Sequence, residues 1–338
     1  MHEHEGGLAD VGAEGSRLGR DDVDRAVRRL AGRVWRTPVV RCDRLDALAG
    51  TRLWLKAENL QRGGSFKTRG ALLAVERLAA AGSRGVVAQS TGNHAIAVAL
   101  AARATGLPAV LVLPEDAVPT KIDLIREAGA EIVFAGTVLA ERMAMVESIQ
   151  VLRGYDAVDP YQNRDVVVGQ GTATAELIGQ VAAEGGRLDA VVVPIGGGSA
   201  IAGACLAAAG EGLAVVGAEP DAVPAFTAAV RAGGPVTVPA GYTIADGLRP
   251  DRIGSLPFDL AHRTVASVVT VSETAIEGAL RAALLHARLL IEPAAATALA
   301  AALDHASGFG ADVGVVLTGG NVEASLVTSL LPGLDVPS

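Results

Sequence analysis

Aromatic side chains are scarce in this chain: only 3% of its 338 residues are Phe, Trp or Tyr, although half are apolar. A core so poor in rings must be filled by Ala, Val, Leu and Gly, as happens where helix and strand layers alternate. Cysteine is nearly absent too. Cys42 and Cys205 lie far apart with no Cys-x-x-Cys spacing, which excludes a disulfide framework and a zinc site and fits a reducing compartment, so a cytoplasmic location is expected. No apolar run reaches the roughly 20 residues of a membrane span; the Ala-rich stretches at 95–102 and 294–303 are both interrupted by polar or charged residues too soon. Residues 1–20 contain no basic segment followed by an apolar one, so they read as a disordered tail rather than a signal peptide or anchor. Positive charge is also short, with 29 Lys and Arg against 37 Asp and Glu for a net −8. With no basic run, nucleic acid is excluded as an expected partner.

The length allows one large or two ordinary domains. Arg20-Asp21-Asp22 ahead of Val23, Val27 and Leu30 predicts an acid-capped amphipathic helix ending near Gly32. Leu53 and Leu55 alternate with Arg52 and Trp54, a period-two pattern that predicts a strand at 52–56, followed by a loop at 58–64 and a helix over 66–81. Short apolar strands at 85–88, 109–113 and 131–134 are each preceded by a helical segment, and the alternation resumes at 190–194, 214–218 and 313–317. This βα rhythm predicts an α/β protein with two parallel sheets. The turn-rich stretch 151–171, with Asp159-Pro160, is the expected crossing between domains.

Lysine occurs only at 56, 67 and 121, so each one is informative. Lys67 sits in Gly63-Gly64-Ser65-Phe66-Lys67-Thr68-Arg69-Gly70 at a predicted helix start, where unpaired N–H groups and the helix dipole favour a neutral, nucleophilic amine. An isolated lysine would ordinarily be a solvated surface residue. In Val86-Val87-Ala88-Gln89-Ser90-Thr91-Gly92-Asn93-His94 a strand runs into a helix through small polar residues. Such a turn is either a capped βα connection or a cradle for a carboxylate, with the Asn93 amide available to an oxygen acceptor. Val191-Val192-Val193-Pro194-Ile195-Gly196-Gly197-Gly198-Ser199 opens a third strand onto glycines that could wrap a phosphate. A dinucleotide site is the rival, since Glu219 follows about twenty residues on where a ribose-binding acid would lie. However, Ile201 occupies the third glycine position of that fingerprint, which favours a single phosphate. Val315-Val316-Leu317-Thr318-Gly319-Gly320-Asn321 ends a strand on a hydroxyl. Opposite a pyridine nitrogen, a neutral hydroxyl leaves the ring a weaker electron sink than a carboxylate would.

Together the four segments resemble the fold-type II pyridoxal phosphate enzymes, tryptophan synthase β-subunit-like in architecture, and among them the serine/threonine dehydratase and serine racemase group. Ser-Phe-Lys-x-Arg-Gly-Ala at 65–71 and Gly-Asn-His at 92–94 are similar to the dehydratases rather than to the cysteine synthase branch. The resemblance spans 22–331 and implies a large pyridoxal 5'-phosphate-binding domain of 21–67 with 153–338, a small substrate-side domain of 68–152, and the cofactor between them. It implies that Lys67 carries the cofactor as a Schiff base, that Phe66 and Asn93 contact its ring, that Gly196, Gly197, Gly198 and Ser199 hold its phosphate, and that Thr318 faces its nitrogen. Ser65, Ser90, Thr91, Gly92, Asn93 and His94 would bind the carboxylate of a small amino-acid substrate. Asp246-Gly247 and Glu292-Pro293 also match segments on the cofactor side.

The implied reaction is removal of the α-proton by Lys67 and loss of the β-hydroxyl, turning L-threonine or L-serine into 2-oxobutanoate or pyruvate plus ammonia. Another β-hydroxy amino acid, such as hydroxyaspartate or phenylserine, or racemisation, is the alternative; a nucleotide-binding module without catalysis is the reading from a different class. The family's common Thr before Gly-Ser-Phe-Lys is Gly63 here, the Ser that racemases place before Gly-Asn-His is Thr91, and the second acid of metal-dependent relatives is Ala225. No metal is therefore expected, and Glu219 reads as a surface or strand-end carboxylate. The chain ends at Ser338, soon after Asn321, so no C-terminal regulatory domain is expected. A homodimer or homotetramer is the implied assembly.

Overall fold

The computed structural model describes residues 18–330 apart from Thr91, Asp116, Val118, Thr137 and Ala240. Most of the tail expected at 1–20 lies outside these residues. Its last position belongs instead to a helix, Arg20–Leu30, whose start is fixed by the Asp22 carboxylate accepting the Gly19 N–H at 2.9 Å.

The strands are β1 Val39–Val40, β2 Arg52–Ala57, β3 Val86–Gln89, β4 Ala109–Leu113, β5 Glu131–Phe134, β6 Asp156–Ala157, β7 Ala190–Pro194, β8 Ala214–Pro220, β9 Val265–Val271 and β10 Asp312–Leu317. They form a six-stranded sheet in the order β1-β2-β10-β7-β8-β9 and a four-stranded sheet in the order β5-β4-β3-β6. Every pairing is parallel except that of β1 with β2. The sequence pattern missed β1, β6 and β9, two of which are only two residues long; β9 is a half-exposed edge strand without a clean apolar period. Because β6 pairs with β3, the chain stays with the smaller sheet through Ala157, five residues beyond the proposed boundary at 152.

The strand expected to alternate at 52–56 does not present one wet face. Only Arg52 of β2 is exposed, since the strand lies inside the sheet with its neighbours on both sides; such interior parallel strands are covered on both faces. Lys56 is consequently buried.

Small residues do the work that aromatic rings do elsewhere. The helix Lys67–Ala80 packs against both Asn93–Thr105 and Arg164–Ala183, which in turn packs on Ser199–Ala208. At these crossings a Cβ on Gly169 would come within 2.5 Å of the Gly70 Cα, and one on Gly203 within 2.5 Å of the Gly171 nitrogen. Backbones this close tolerate only glycine, and the short gap lets dense Ala and Val packing fill the core.

A charge cluster, buried at Lys56, Glu58 and Arg69 and partly open at Glu176, sits beneath the same helix. Arg69 donates to both Glu58 oxygens at 2.7 Å and to both Glu176 oxygens at 2.8 Å, while Lys56 donates to Glu176, Gln180 and the Thr37 carbonyl at 2.8 Å each. The two cations and two carboxylates balance, which is what permits their burial. They fasten β2, the helix that begins at Lys67 and the helix Arg164–Ala183 to one another.

Candidate active site

Three of the sequence segments end at the carboxyl edges of strands: Ser90–His94 after β3, Gly196–Ser199 after β7 and Thr318 after β10. Loops at that edge of parallel sheets are where α/β folds collect their ligands. They converge on a cavity of about 730 Å³ lined by Phe66, Lys67, Ser90, Gly92, Asn93, His94, the run 196–199 and Thr318, among others. Thr91 lies outside the described residues. Ser65 is not among the lining residues: its hydroxyl is buried behind Phe66 without a hydrogen-bond partner.

Backbone hydrogen bonds fix the turn before Lys67 to the end of β10. Phe66 N–H donates to the Thr318 carbonyl at 2.9 Å, and Gly320 N–H donates to the Gly64 carbonyl at 2.9 Å. The Lys67 amine then projects into the cavity, 3.1 Å from the Ser199 hydroxyl and 3.3 Å from the Pro160 carbonyl. Its pKa is lowered from 10.5 to about 8, chiefly by burial, against the opposing pull of Asp159 and Glu292. The helix dipole invoked from sequence is not the dominant cause; desolvation disfavours the ammonium.

His94 donates from Nε2 to the Val158 carbonyl at 2.8 Å, leaving Nδ1 buried without a partner. Burial, aided by the Lys67 charge, pushes its pKa down to about 3, so the ring is neutral and carries its proton on Nε2. The Asn93 side chain is held from both ends: Asn321 donates to its oxygen at 2.9 Å, and its own NH2 donates to the two Glu292 oxygens at 2.8 and 2.9 Å. Burial raises Glu292 to about 7, with the Asn93 hydrogen bonds opposing.

The glycine run has the shape of an anion cradle. Gly198 has φ +99°, a left-handed conformation, directly before the helix Ser199–Ala208. A Cβ at 197 would lie 2.2 Å from the Tyr161 ring, and one at 196 would lie 2.8 Å from the Gly247 carbonyl. The cradle fits one phosphate at a helix N-terminus, and the amine of Lys67 beside it fits an aldehyde. Phe66, Asn93 and Thr318 line the same space. These residues therefore suit pyridoxal 5'-phosphate.

Three features were not visible in the sequence reading. Arg142 and Tyr161 enter the cavity wall from segments with no recognisable motif, and Lys121 pairs with Asp246 across it. Glu219, expected at a surface or strand end, does end β8 but is wholly buried; it accepts the Phe226 and Thr227 N–H groups at 3.0 Å and so caps the helix Ala225–Ala232. Among the described residues no cluster of His, Cys, Asp and Glu has the arrangement of a metal site, and no helix is long and apolar enough to cross a membrane.

Two parallel α/β sheets with a lysine and a phosphate cradle between them define the class of fold-type II pyridoxal phosphate enzymes. The family described as pyridoxal-phosphate dependent enzyme matches residues 30–319, and the chain belongs to it, within the serine/threonine dehydratase and racemase group. Its cofactor is pyridoxal 5'-phosphate. The chain is 37% identical to the L-threo-3-hydroxyaspartate ammonia-lyase of a Pseudomonas species over 92% of its own length and 98% of that protein's. The threonine deaminase of T.th. superposes with a TM-score of 0.86 at 37% identity, covering 90% of this chain and 98% of that one. Maize serine racemase gives a TM-score of 0.88 at 33% identity, covering 93% and 97%.

Proposed function

We propose that the chain is an ammonia-lyase for small L-β-hydroxy amino acids, acting on L-serine and L-threonine and best fitted to 3-hydroxyaspartate. The observation that carries this reading is that the Lys67 amine and the buried Arg142 side chain line the same cavity. Arginine presents a planar fork of donors matched to a carboxylate, so a substrate with a second carboxylate gains a partner that a methyl group does not. The name of the Pseudomonas relative supports the same substrate.

Pyridoxal 5'-phosphate, when bound, supplies the electron-withdrawing ring that makes the substrate α-proton acidic. In this reading the turn at 90–94 receives the α-carboxylate on backbone N–H groups, and Asn93, fixed by Asn321 and Glu292, orients the cofactor ring. Gly196, Gly197, Gly198 and Ser199 would hold the phosphate, Phe66 would contact the ring, and Thr318 would offer the ring nitrogen a neutral hydroxyl rather than a charge. With its lowered pKa, Lys67 is neutral in a useful fraction near neutral pH and takes the α-proton. The C–H and C–O bonds break, the hydroxyl leaves as water, and hydrolysis gives a 2-oxo acid and ammonia. Racemisation requires a second proton-carrying group opposite Lys67, and the residue expected there is Thr91. The proposal extends to a large domain of 21–67 with the chain after Ala157, a small domain between, a cytoplasmic setting and a homodimeric or homotetrameric assembly.

The test is kcat/KM for 3-hydroxyaspartate, L-serine and L-threonine in the wild type and in Arg142→Gln. The expected result is a preference for 3-hydroxyaspartate that falls at least tenfold in the variant, with L-serine changed less than threefold. A preference for L-threonine untouched by the substitution contradicts the assigned substrate.

A further inference from the structure

Lys121 and Asp246 are 125 residues apart in sequence and form an ion pair across the cavity. Lys121 belongs to the helix Pro119–Glu127 beside the smaller sheet, and Asp246 begins the short turn Asp246–Leu248 of the larger one. The lysine is only 8% exposed, whereas the Asp246 side chain is one third exposed, so the pair joins a buried ammonium to a partly solvated carboxylate at the cavity mouth, and its worth is placement more than energy.

What each partner touches gives the pair its meaning. The Lys121 amine lies 3.2 Å from where a Gly92 Cβ would be, so the ammonium backs directly onto the turn that follows β3. On the other side, the residues after Asp246 form the floor of the glycine cradle: the Gly247 carbonyl and Leu248 Cα lie 2.8 and 3.1 Å from a Cβ position on Gly196. The ion pair thus bridges the two ligand loops, one from each sheet. Neighbouring charges agree with this placement, because both Lys121 and Asp246 act on the buried Glu292 carboxyl with opposite sign.

We propose that Lys121 and Asp246 are a positioning pair that locks the carboxylate turn at Gly92 to the phosphate cradle at Gly196 and so sets the spacing at which the amino acid binds. With the pair intact, the turn is held against the cradle of the larger sheet. Breaking it lets the helix Pro119–Glu127 and the turn relax away from the larger sheet, which weakens amino-acid binding more than turnover.

The experiment compares holoenzymes of wild type, Lys121→Met, Asp246→Asn and the exchanged pair Lys121→Glu with Asp246→Lys. Two quantities are read: amide hydrogen exchange around Gly92 and across Pro119–Glu127, and KM and kcat for 3-hydroxyaspartate and L-serine. The expected result is at least tenfold faster exchange in both segments of the single variants, KM raised at least tenfold with kcat within threefold, and substantial recovery of both in the exchanged pair. Unchanged exchange, faster exchange without a rise in KM, or an exchanged pair no better than the single variants overturns the proposal. The kinetic half rests on the proposed function, but the exchange half does not. A wild type that turns over neither substrate overturns that function and leaves hydrogen exchange to decide the interlock.

Discussion

The Lys67 amine and the Ser199 hydroxyl, 132 residues apart in sequence, meet at 3.1 Å. This contact places the nucleophile at the first turn of the helix whose N-terminus forms the phosphate cradle. Ser199→Ala is expected to weaken pyridoxal 5'-phosphate about ten- to 150-fold, the loss of one hydrogen bond to a charged group, and to leave the affinity for pyridoxal, which lacks the phosphate, nearly unchanged. Equilibrium titration with both compounds checks it; equal losses would remove Ser199 from the phosphate site.

The lowered pKa of Lys67 has a kinetic signature. A neutral amine is the attacking species, and with a pKa of about 8 roughly a tenth of it is neutral at pH 7, against far less than a hundredth for an ordinary lysine. Capture of the cofactor by the apoenzyme should therefore accelerate nearly tenfold per pH unit below 8 and level off above it. Stopped-flow absorbance reads this directly, and a rate still climbing through pH 10 would show that burial does not act as described.

Gly197 faces the Tyr161 ring so closely that an added Cβ would lie 2.2 Å away. Gly197→Ala is expected to push the ring or the cradle aside and weaken the cofactor at least tenfold while the far-ultraviolet dichroism stays native. Combining it with Tyr161→Ala should restore much of the loss, because the clash is with that ring.

Arg69 is itself buried and satisfies four carboxylate oxygens, two on the buried Glu58 and two on the partly exposed Glu176. Arg69→Met leaves the buried Glu58 without its main cation, and the cost should be about 3–5 kcal/mol. Urea unfolding measures it, and adding Glu58→Gln should return part of the loss; a change below 1 kcal/mol would contradict the network's role.

His94 makes stability depend on acid in a defined direction. Its folded pKa, about 3, lies below the 6.5 of a free imidazole, so between those values the unfolded chain binds the extra proton and stability is lost as the pH falls. Each pH unit in that window removes about 1.4 kcal/mol. Replacing it by His94→Asn should flatten the slope by about one proton, as read from unfolding free energies between pH 4 and 6.5.

Much of the fold was legible because most of its strands are short apolar runs bounded by helices, buried at 109–113 and 190–194 and half-exposed at 131–134. The expected helix at 66–81 is observed at Lys67–Ala80, and the strands at 109–113, 131–134 and 190–194 coincide with the observed elements. Asn93, the glycine run and Thr318 stood out because each follows a strand end, and Lys67 because it is one of three lysines and opens a helix behind a glycine-rich turn. Arg142, Tyr161 and the pairing of Lys121 with Asp246 were not legible, although Asp246 itself was expected on the cofactor side. They reach the cavity from helix faces and turns whose local sequence is ordinary, and only the docking of one sheet against the other brings them in. The place of Lys56 was not legible either: a half-polar alternation looks the same whether its charged residue meets water or, as here, Glu176 and Gln180.

The central claim is that Lys67 performs cofactor-dependent elimination on a β-hydroxy amino acid. It is tested most directly by following 2-oxo acid and ammonia release from 3-hydroxyaspartate, L-serine and L-threonine in the wild type and in Lys67→Ala, both supplied with pyridoxal 5'-phosphate. Equimolar oxo acid and ammonia are expected from the wild type, and from the variant a folded protein that lacks the visible absorbance of the bound cofactor and forms neither product. Full activity in Lys67→Ala, or a wild type that binds the cofactor and releases no oxo acid from any of the three, would contradict it.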